Sequence, residues 1–211
     1  NKHNIVVIPP GIKIEKYLSM PRKPEDNMFI MIGRLERRKH YEHAIMALKI
    51  AARYRPDIKL LIIGDGPLKP YLTQLVKRFS LEKNVFLLGA VDERTKLDLL
   101  SRARALIHLG YPEGFGIAII EALAMGVPVI AYNVPPINEI IVDRIHGVLI
   151  EKDCVKDIAR TLINLNRMDF RYNTLIERAR NYDIGRIAKR FGILYKRIIA
   201  KGNYGLRFNE N

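Results

Sequence analysis

The chain has 211 residues, 48% of them hydrophobic, and a formal net charge of +14 at pH 7. This length suits one large domain, or one domain with an appended piece. A single cysteine, Cys154, excludes an internal disulfide and favours a reducing compartment. No apolar run approaches the roughly 20 residues that cross a bilayer, and the polar N-terminus lacks a signal-peptide core. We therefore expect a cytoplasmic protein.

The positive charge attracts anions, which include nucleic acids, acidic lipid headgroups and phosphorylated small molecules. Lysine and arginine are spread over most of the chain, and no helix-turn-helix, RNP or zinc signature is found. We therefore expect no nucleic-acid partner. An anionic membrane surface, at which the protein is peripheral, fits the charge better.

Short apolar runs alternate with segments of helical spacing along most of the chain. Strands are predicted at 5–8, 28–32, 59–63, 85–88, 105–109, 127–131 and 148–150. Helices are predicted at 41–54, 68–79, 93–101 after an Asp92 cap, through Glu121 to Met125, at 155–166 after Asp153, at 169–181 and at 184–200 after Asp183. Loops are expected at 13–26 and 34–40, a short turn at 138–142, and residues 201–211 show no periodicity.

This alternation predicts an α/β fold with a doubly wound, Rossmann-like parallel sheet, helices on both faces and C-terminal helices appended. Ligands of such folds bind beyond the carboxyl ends of the strands. Four segments directly follow predicted strands and are expected to meet at that edge: Gly33-Arg34, Gly64-Asp65, Gly89-Ala90 and 109–116.

The stretch 111–132 is the strongest candidate for a ligand site. Glu113 opens a Gly-Phe-Gly turn that leads into a helix, and Glu121 follows eight positions later. A helix N-terminus favours a phosphate, Gly114 and Gly116 allow close approach, and carboxylates accept hydrogen bonds from sugar hydroxyls. The stretch therefore predicts a site for the sugar and phosphate of a nucleotide-sugar. The alternative is a chance EGFG string followed by ordinary core residues, Ile117 among them.

At this point the sequence resembles the C-terminal domain of family 4 glycosyltransferases. The motifs that carry the resemblance are, in order, Gly33-Arg34-Leu35 with Lys39, Ile63-Gly64-Asp65-Gly66-Pro67, Val85-Phe86-Leu87-Leu88-Gly89, Glu113-Gly114-Phe115-Gly116 with Glu121, and Ala124-Met125-Gly126-Val127-Pro128-Val129. The resemblance implies a retaining enzyme of the GT-B fold that transfers a sugar from a nucleotide-diphosphate donor.

The resemblance also implies residue roles. Arg34 and Lys39 match the basic pair that grips the donor diphosphate and neutralises its charge as it leaves, so no metal and no other cofactor is expected. Glu113 matches the acid that contacts the transferred sugar, and Glu121 the acid that holds the ribose hydroxyls. The backbone that lines the donor is matched by Gly114, Phe115, Gly116 and Ile117, and the segment that reads the base by Ala90-Val91.

Two positions depart from the family pattern. His40 stands where a glycine often follows the lysine, and Pro135-Pro136 stand where Gly-Gly is usual. His108 and His146 neighbour strands, and we interpret both as structural.

The resemblance covers one of the two domains of a GT-B enzyme. The segment 184–211 is therefore expected to pack toward an N-terminal domain, and the chain alone is expected to bind donor weakly and transfer little sugar. A lipid-linked acceptor is compatible with the charge.

Three other functions are open. One is a non-catalytic nucleotide-binding or regulatory module on the same fold. Another is an anionic-membrane or nucleic-acid binder that acts through charge alone. A dinucleotide oxidoreductase is disfavoured, because no G-x-G-x-x-G motif follows the first strand.

Overall fold

The computed structural model describes residues 5–200. Its centre is a parallel sheet of six strands in the order β3-β2-β1-β4-β5-β6. The strands are β1 Glu25–Ile32, β2 Lys59–Ile63, β3 Val85–Gly89, β4 Ala103–His108, β5 Val129–Tyr132 and β6 Gly147–Ile150. Most of these strands are continuous apolar runs because the sheet is covered on both faces.

Nine α-helices are found between residues 5 and 200. They are α1 Glu15–Leu18, α2 Tyr41–Ala51, α3 Lys69–Arg78, α4 Glu93–Arg102, α5 Ile117–Ala124, α6 Ile137–Ile140, α7 Val155–Asn164, α8 Tyr172–Arg180 and α9 Ile184–Ala200. Helix α2 packs against α3 and α7, whereas α5 packs against α1 and α8. With right-handed crossovers, these two groups cover opposite faces of the sheet.

The strand order confirms the predicted doubly wound fold. The chain moves outward from β1 to β3 and then returns, so that β4 lies beside β1, with Phe29 paired to Ala105 and Ile30 to Leu106. The point where the order reverses is where ligands bind in such folds. The loops that follow β1 and β4, which carry Lys39 and Glu113, therefore become neighbours.

Two predicted helix caps are confirmed. The Asp92 carboxylate accepts a hydrogen bond from the Thr95 amide at 2.9 Å. The Asp183 carboxylate accepts one from the Gly185 amide, also at 2.9 Å, at the start of α9. Each cap satisfies an amide that has no partner inside its helix.

Several predictions about elements were wrong. Residues 5–8 form no strand, and Ile5, Val6 and Val7 are mostly exposed. The predicted loop 13–26 contains α1 and the first residues of β1. Asp153 does not cap α7: Cys154 holds the cap position, and Asp153 has a positive φ of 66° and an ion pair with Lys152. Residues 201–211 lie outside the described part of the chain.

Candidate active site

The two loops at the reversal of strand order meet through a buried ion pair. Lys39 ends a 3₁₀ turn, Arg37–Lys39, and its Nζ lies 2.5 Å from Glu113 Oε2. The exposed fractions of the two side chains are only 14% and 9%. The same loops are joined by the backbone, because the Tyr111 amide donates to the Arg38 carbonyl at 2.7 Å. The structure therefore brings Lys39 and Glu113, two of the predicted site residues, into direct contact.

His108 is the third member of this cluster. It is the last residue of β4, it is buried, and its Nε2 lies 3.0 Å from Glu113 Oε2. The other carboxylate oxygen, Oε1, accepts the Gly114 amide at 3.0 Å and lies 3.8 Å from Arg38 Nη1. Both oxygens of Glu113 are thus oriented by neighbouring donors.

These contacts fix the charge of the cluster. Burial by itself raises the pKa of Glu113, but hydrogen bonds from His108 and Lys39, with the charge of Lys39, hold it well below its usual range. Burial lowers the pKa of His108, although Glu113 opposes this. Glu113 is therefore ionised at neutral pH, and a neutral His108 donates its Nε2–H to the carboxylate.

Arg34 lies in the same loop as Lys39 but does not share its contacts. Its side chain is 71% exposed and pairs with Glu36, Nε to Oε1, at 2.9 Å. Glu36 in turn pairs with Arg38 at 2.9 Å. Arg34 is therefore linked to Glu113 only through Glu36 and Arg38, and its guanidinium faces solvent.

Glu121 belongs to a second cluster. It lies on α5, is 9% exposed, and its Oε1 accepts hydrogen bonds from the Tyr17 hydroxyl at 2.8 Å and from Lys96 Nζ at 3.0 Å. Burial alone lowers the pKa of Lys96, but Glu121 and Glu93 raise it overall, so the lysine is charged. Between residues 5 and 200, Glu121 and Glu113 have no hydrogen-bond or ion-pair partner in common. The two predicted acids are positioned independently.

The glycine turn between these clusters is shaped for a close approach. A Cβ on Gly114 would meet nothing within 4 Å, so the space beside it is open. Gly116 has a φ of 89° and holds the cap position of α5. The Phe115 ring packs edge-on against Tyr182, with centroids 5.5 Å apart. Ile117 is 49% exposed, which contradicts its interpretation as an ordinary core residue.

Val91, the predicted base-reading position, is half-buried against the core in the loop after β3. None of the other predicted site residues contacts it through a side-chain hydrogen bond or ion pair in the described chain. Its place at the carboxyl edge of the sheet agrees with the prediction, and its role stays a prediction.

Sequence reasoning missed several residues of the two clusters. His108 was interpreted as structural, although its position at the end of β4, five residues before Glu113, was a usable signal. Gly110 was also missed: a Cβ there would lie 2.6 Å from Glu113 Oε2, so glycine makes room for the carboxylate. Tyr17 lies in a segment predicted as a loop, and no sequence signal links it to Glu121.

The family model of glycosyl transferases group 1 matches residues 15–182. The chain belongs to this family. It is 26% identical over 238 residues to an uncharacterized glycosyltransferase of Methanocaldococcus jannaschii, covering 92% of this chain and 58% of that protein. The predicted family resemblance is thereby confirmed.

Solved structures of the GT-B type share this fold. Pneumococcal GtfA, an O-GlcNAc transferase solved with UDP and GlcNAc, aligns with a TM-score of 0.79 at 24% identity over 92% of this chain and 40% of its own. HepE of Anabaena, solved with UDP-glucose, gives a TM-score of 0.79 at 20% identity over 93% of this chain and 58% of its own. The chain thus spans between two fifths and three fifths of these proteins.

The state of His108 makes a pH prediction. Its folded pKa is lowered while the unfolded value is about 6.5, so below that pH the unfolded chain binds more protons and stability falls. We expect His108→Gln, whose amide still donates to Glu113, to flatten this dependence by about 1 kcal/mol per pH unit between pH 6 and 5. Urea unfolding of both proteins across that range measures the difference.

The control is His146→Gln, which removes another buried histidine that has no contact with Glu113. Its own effect on the slope is measured separately. If His108→Gln made the loss of stability at low pH steeper, Glu113 would hold His108 as an imidazolium, and the assignment of a neutral ring would be wrong.

Proposed function

We propose that this chain is the donor-binding domain of a retaining glycosyltransferase, which transfers a sugar from a nucleotide-diphosphate sugar to an acceptor. The observation that carries the proposal is the buried, ionised Glu113, held by Lys39 and His108 where the strand order reverses. Family membership supports the reaction class. An ionised acid beside an open glycine turn suits the binding of a polyhydroxylated ligand.

The catalytic residues in this proposal are Arg34, Lys39 and Glu113. Lys39 lies in a largely buried site, where a cation stabilises developing charge more strongly than in water. Arg34 is exposed and adds a two-pronged contact to the diphosphate when a donor is bound. Together they neutralise the leaving diphosphate, and transfer needs neither a metal nor another cofactor.

The acids divide the donor between them. Glu113 accepts hydrogen bonds from hydroxyls of the transferred sugar, and the backbone of 114–117 lines the sugar and phosphate beside it. Glu121 uses Oε1 for Tyr17 and Lys96, while Oε2 has no hydrogen bond in the described structure and is available for the ribose hydroxyls. The loop at Val91 contacts the base.

Structural neighbours suggest which donors to test first. GtfA was solved with UDP and GlcNAc, and HepE with UDP-glucose. A uridine diphosphate sugar is therefore the first donor to try, with GDP and ADP compounds in parallel. The base and the sugar are to be decided by that comparison.

Nucleotide affinity tests the site. We expect Lys39→Ala and Arg34→Ala to weaken nucleoside diphosphate binding tenfold or more, because a hydrogen bond to a charged group contributes about 1.5–3 kcal/mol. Both changes should also reduce the salt dependence of binding. Glu121→Gln should weaken it by a smaller factor, since one hydroxyl contact is lost. Calorimetry with UDP, GDP and ADP measures all three effects.

The matched control is Arg160→Ala, which removes an exposed cation from α7 without touching either cluster. It should bind nucleotide as the unchanged chain does. Unchanged affinity in Arg34→Ala, Lys39→Ala and Glu121→Gln together would remove the site assignment, provided circular dichroism shows that the variants are folded.

The chain supplies only part of a two-domain enzyme in this proposal. An N-terminal GT-B domain provides most acceptor contacts, so we expect this chain alone to bind donor but transfer almost no sugar. Release of nucleotide from labelled donor, with water and simple sugars as acceptors, measures the residual activity. Turnover in the ordinary enzyme range of about 1–10³ per second would contradict the need for a second domain.

Helix α9 is the proposed contact with the rest of the enzyme and with the membrane. It has five basic residues and no acidic one, and five of its large apolar side chains are about half exposed or more: Ile184, Ile193, Tyr195, Ile198 and Ile199. No helix within residues 5–200 has the length and apolarity needed to cross a membrane. We place the enzyme at the cytoplasmic face of an anionic membrane, where a lipid-linked acceptor would be reached.

Vesicle binding tests the membrane contact. Each lysine near an anionic surface contributes about 1 kcal/mol, so Lys189→Gln combined with Lys196→Gln should weaken binding to phosphatidylglycerol vesicles by tenfold or more. The control combines Lys77→Gln with Lys83→Gln, two exposed lysines outside α9. Equal loss in both pairs, or equal binding to neutral phosphatidylcholine vesicles, would contradict a specific role for α9.

A further inference from the structure

A cluster of potential metal ligands lies immediately after Lys39 and outside both acid clusters. His40, Glu42 and His43 follow one another at the start of α2, and each offers a ligand atom. The three ligand atoms lie within 4.8 Å of one another. His40 Nδ1 is 3.8 Å from Glu42 Oε1, and the rings of His40 and His43 stack with centroids 5.0 Å apart. Three ligands from two turns of chain thus face one small volume.

Two atoms of this cluster lack the partners that buried polar atoms normally have. His40 Nε2 and Glu42 Oε2 are both buried, and neither has a hydrogen bond anywhere in the described chain. Only one other side-chain atom between residues 5 and 200, Arg55 Nη1, shares this state. Buried polar atoms without partners are rare in native proteins, and two in one cluster indicate a missing group that accepts electron pairs.

The third ligand is already oriented. His43 Nδ1 lies 2.6 Å from the hydroxyl of Tyr132, a buried residue of β5, and 3.7 Å from Asp153 Oδ1. Hydrogen-bonded neighbours of this kind fix the ring orientation of histidines that bind metals. The Tyr132 hydroxyl therefore holds the His43 ring in place before any metal arrives.

A hollow of about 490 Å³ gives access to the cluster. It is lined by Arg37, His40, Glu42, Leu68 and Tyr71. His40 and Glu42, which carry the unpartnered atoms, are both part of its wall. The hollow leaves room for water to complete the coordination of an ion that has three protein ligands.

We infer that His40, Glu42 and His43 bind a divalent transition metal of the zinc class. Two imidazoles and one carboxylate suit Zn²⁺, Co²⁺ or Ni²⁺, whereas Mg²⁺ and Ca²⁺ prefer oxygen ligands alone. The neighbouring cations Arg37 and Lys39 oppose a positive ion, so affinity comes from the imidazole lone pairs and the charge of Glu42. The ion lies beside the loop that carries Lys39 and fixes its position. It takes no part in the proposed contacts to the diphosphate.

Cobalt titration of the full chain, freed of metal with a chelator, tests the site. Co²⁺ bound by nitrogen and oxygen ligands gives visible d–d absorption, and we expect one equivalent to bind and to be displaced by Zn²⁺ but not by Mg²⁺. Glu42→Gln and His40→Asn, tested singly, should each weaken Co²⁺ binding by at least tenfold. Asparagine is chosen at position 40 because it tolerates the left-handed backbone found there, with φ 49°.

The control is His146→Gln, which removes a histidine remote from this cluster and should bind Co²⁺ as the unchanged chain does. Circular dichroism confirms that each variant is folded. No absorption at one equivalent would overturn the inference, and so would unchanged Co²⁺ affinity in the Glu42→Gln and His40→Asn double variant. Loss of metal binding with nucleotide affinity retained would support a metal site that is separate from the donor site.

Discussion

The contact between Lys39 and Glu113 is the constraint on which the site depends. The two residues are 74 positions apart, yet their charged groups lie 2.5 Å from each other and are largely buried. A buried charge is costly unless it is paired and hydrogen-bonded. The pair is therefore formed only when the loops after β1 and β4 are both in place, and it couples the folding of the sheet to the arrangement of the site.

The sheet makes this contact possible through close packing of its loops. Gly64 has a φ of 136°, and a Cβ there would lie 1.9 Å from the Gly33 carbonyl oxygen. Gly110 leaves the space that the Glu113 carboxylate occupies. Larger residues at these points would push apart the loops that follow neighbouring strands. The glycines after the strands thus set how closely the ligand-facing loops approach one another.

The two acids have different supports. Glu113 depends on the loops at the reversal of strand order, whereas Glu121 depends on Tyr17 of α1 and Lys96 of α4. The second support ties the early residues of the chain to the helix that carries Glu121. The proposed sugar-facing and ribose-facing acids can therefore be perturbed separately, which is why variants of each distinguish their roles.

The sequence by itself determined the strands, most helices and the doubly wound class, because apolar runs and capping residues such as Asp92 and Asp183 act over a few positions. The order of the motifs also paired Lys39 with Glu113 as members of one site. Only the tertiary structure decided that His108 donates to Glu113, that Tyr17 holds Glu121 and that residues 5–8 form no strand. Such contacts join segments distant along the chain, and their geometry follows from strand order and crossover connections, which local pattern does not encode.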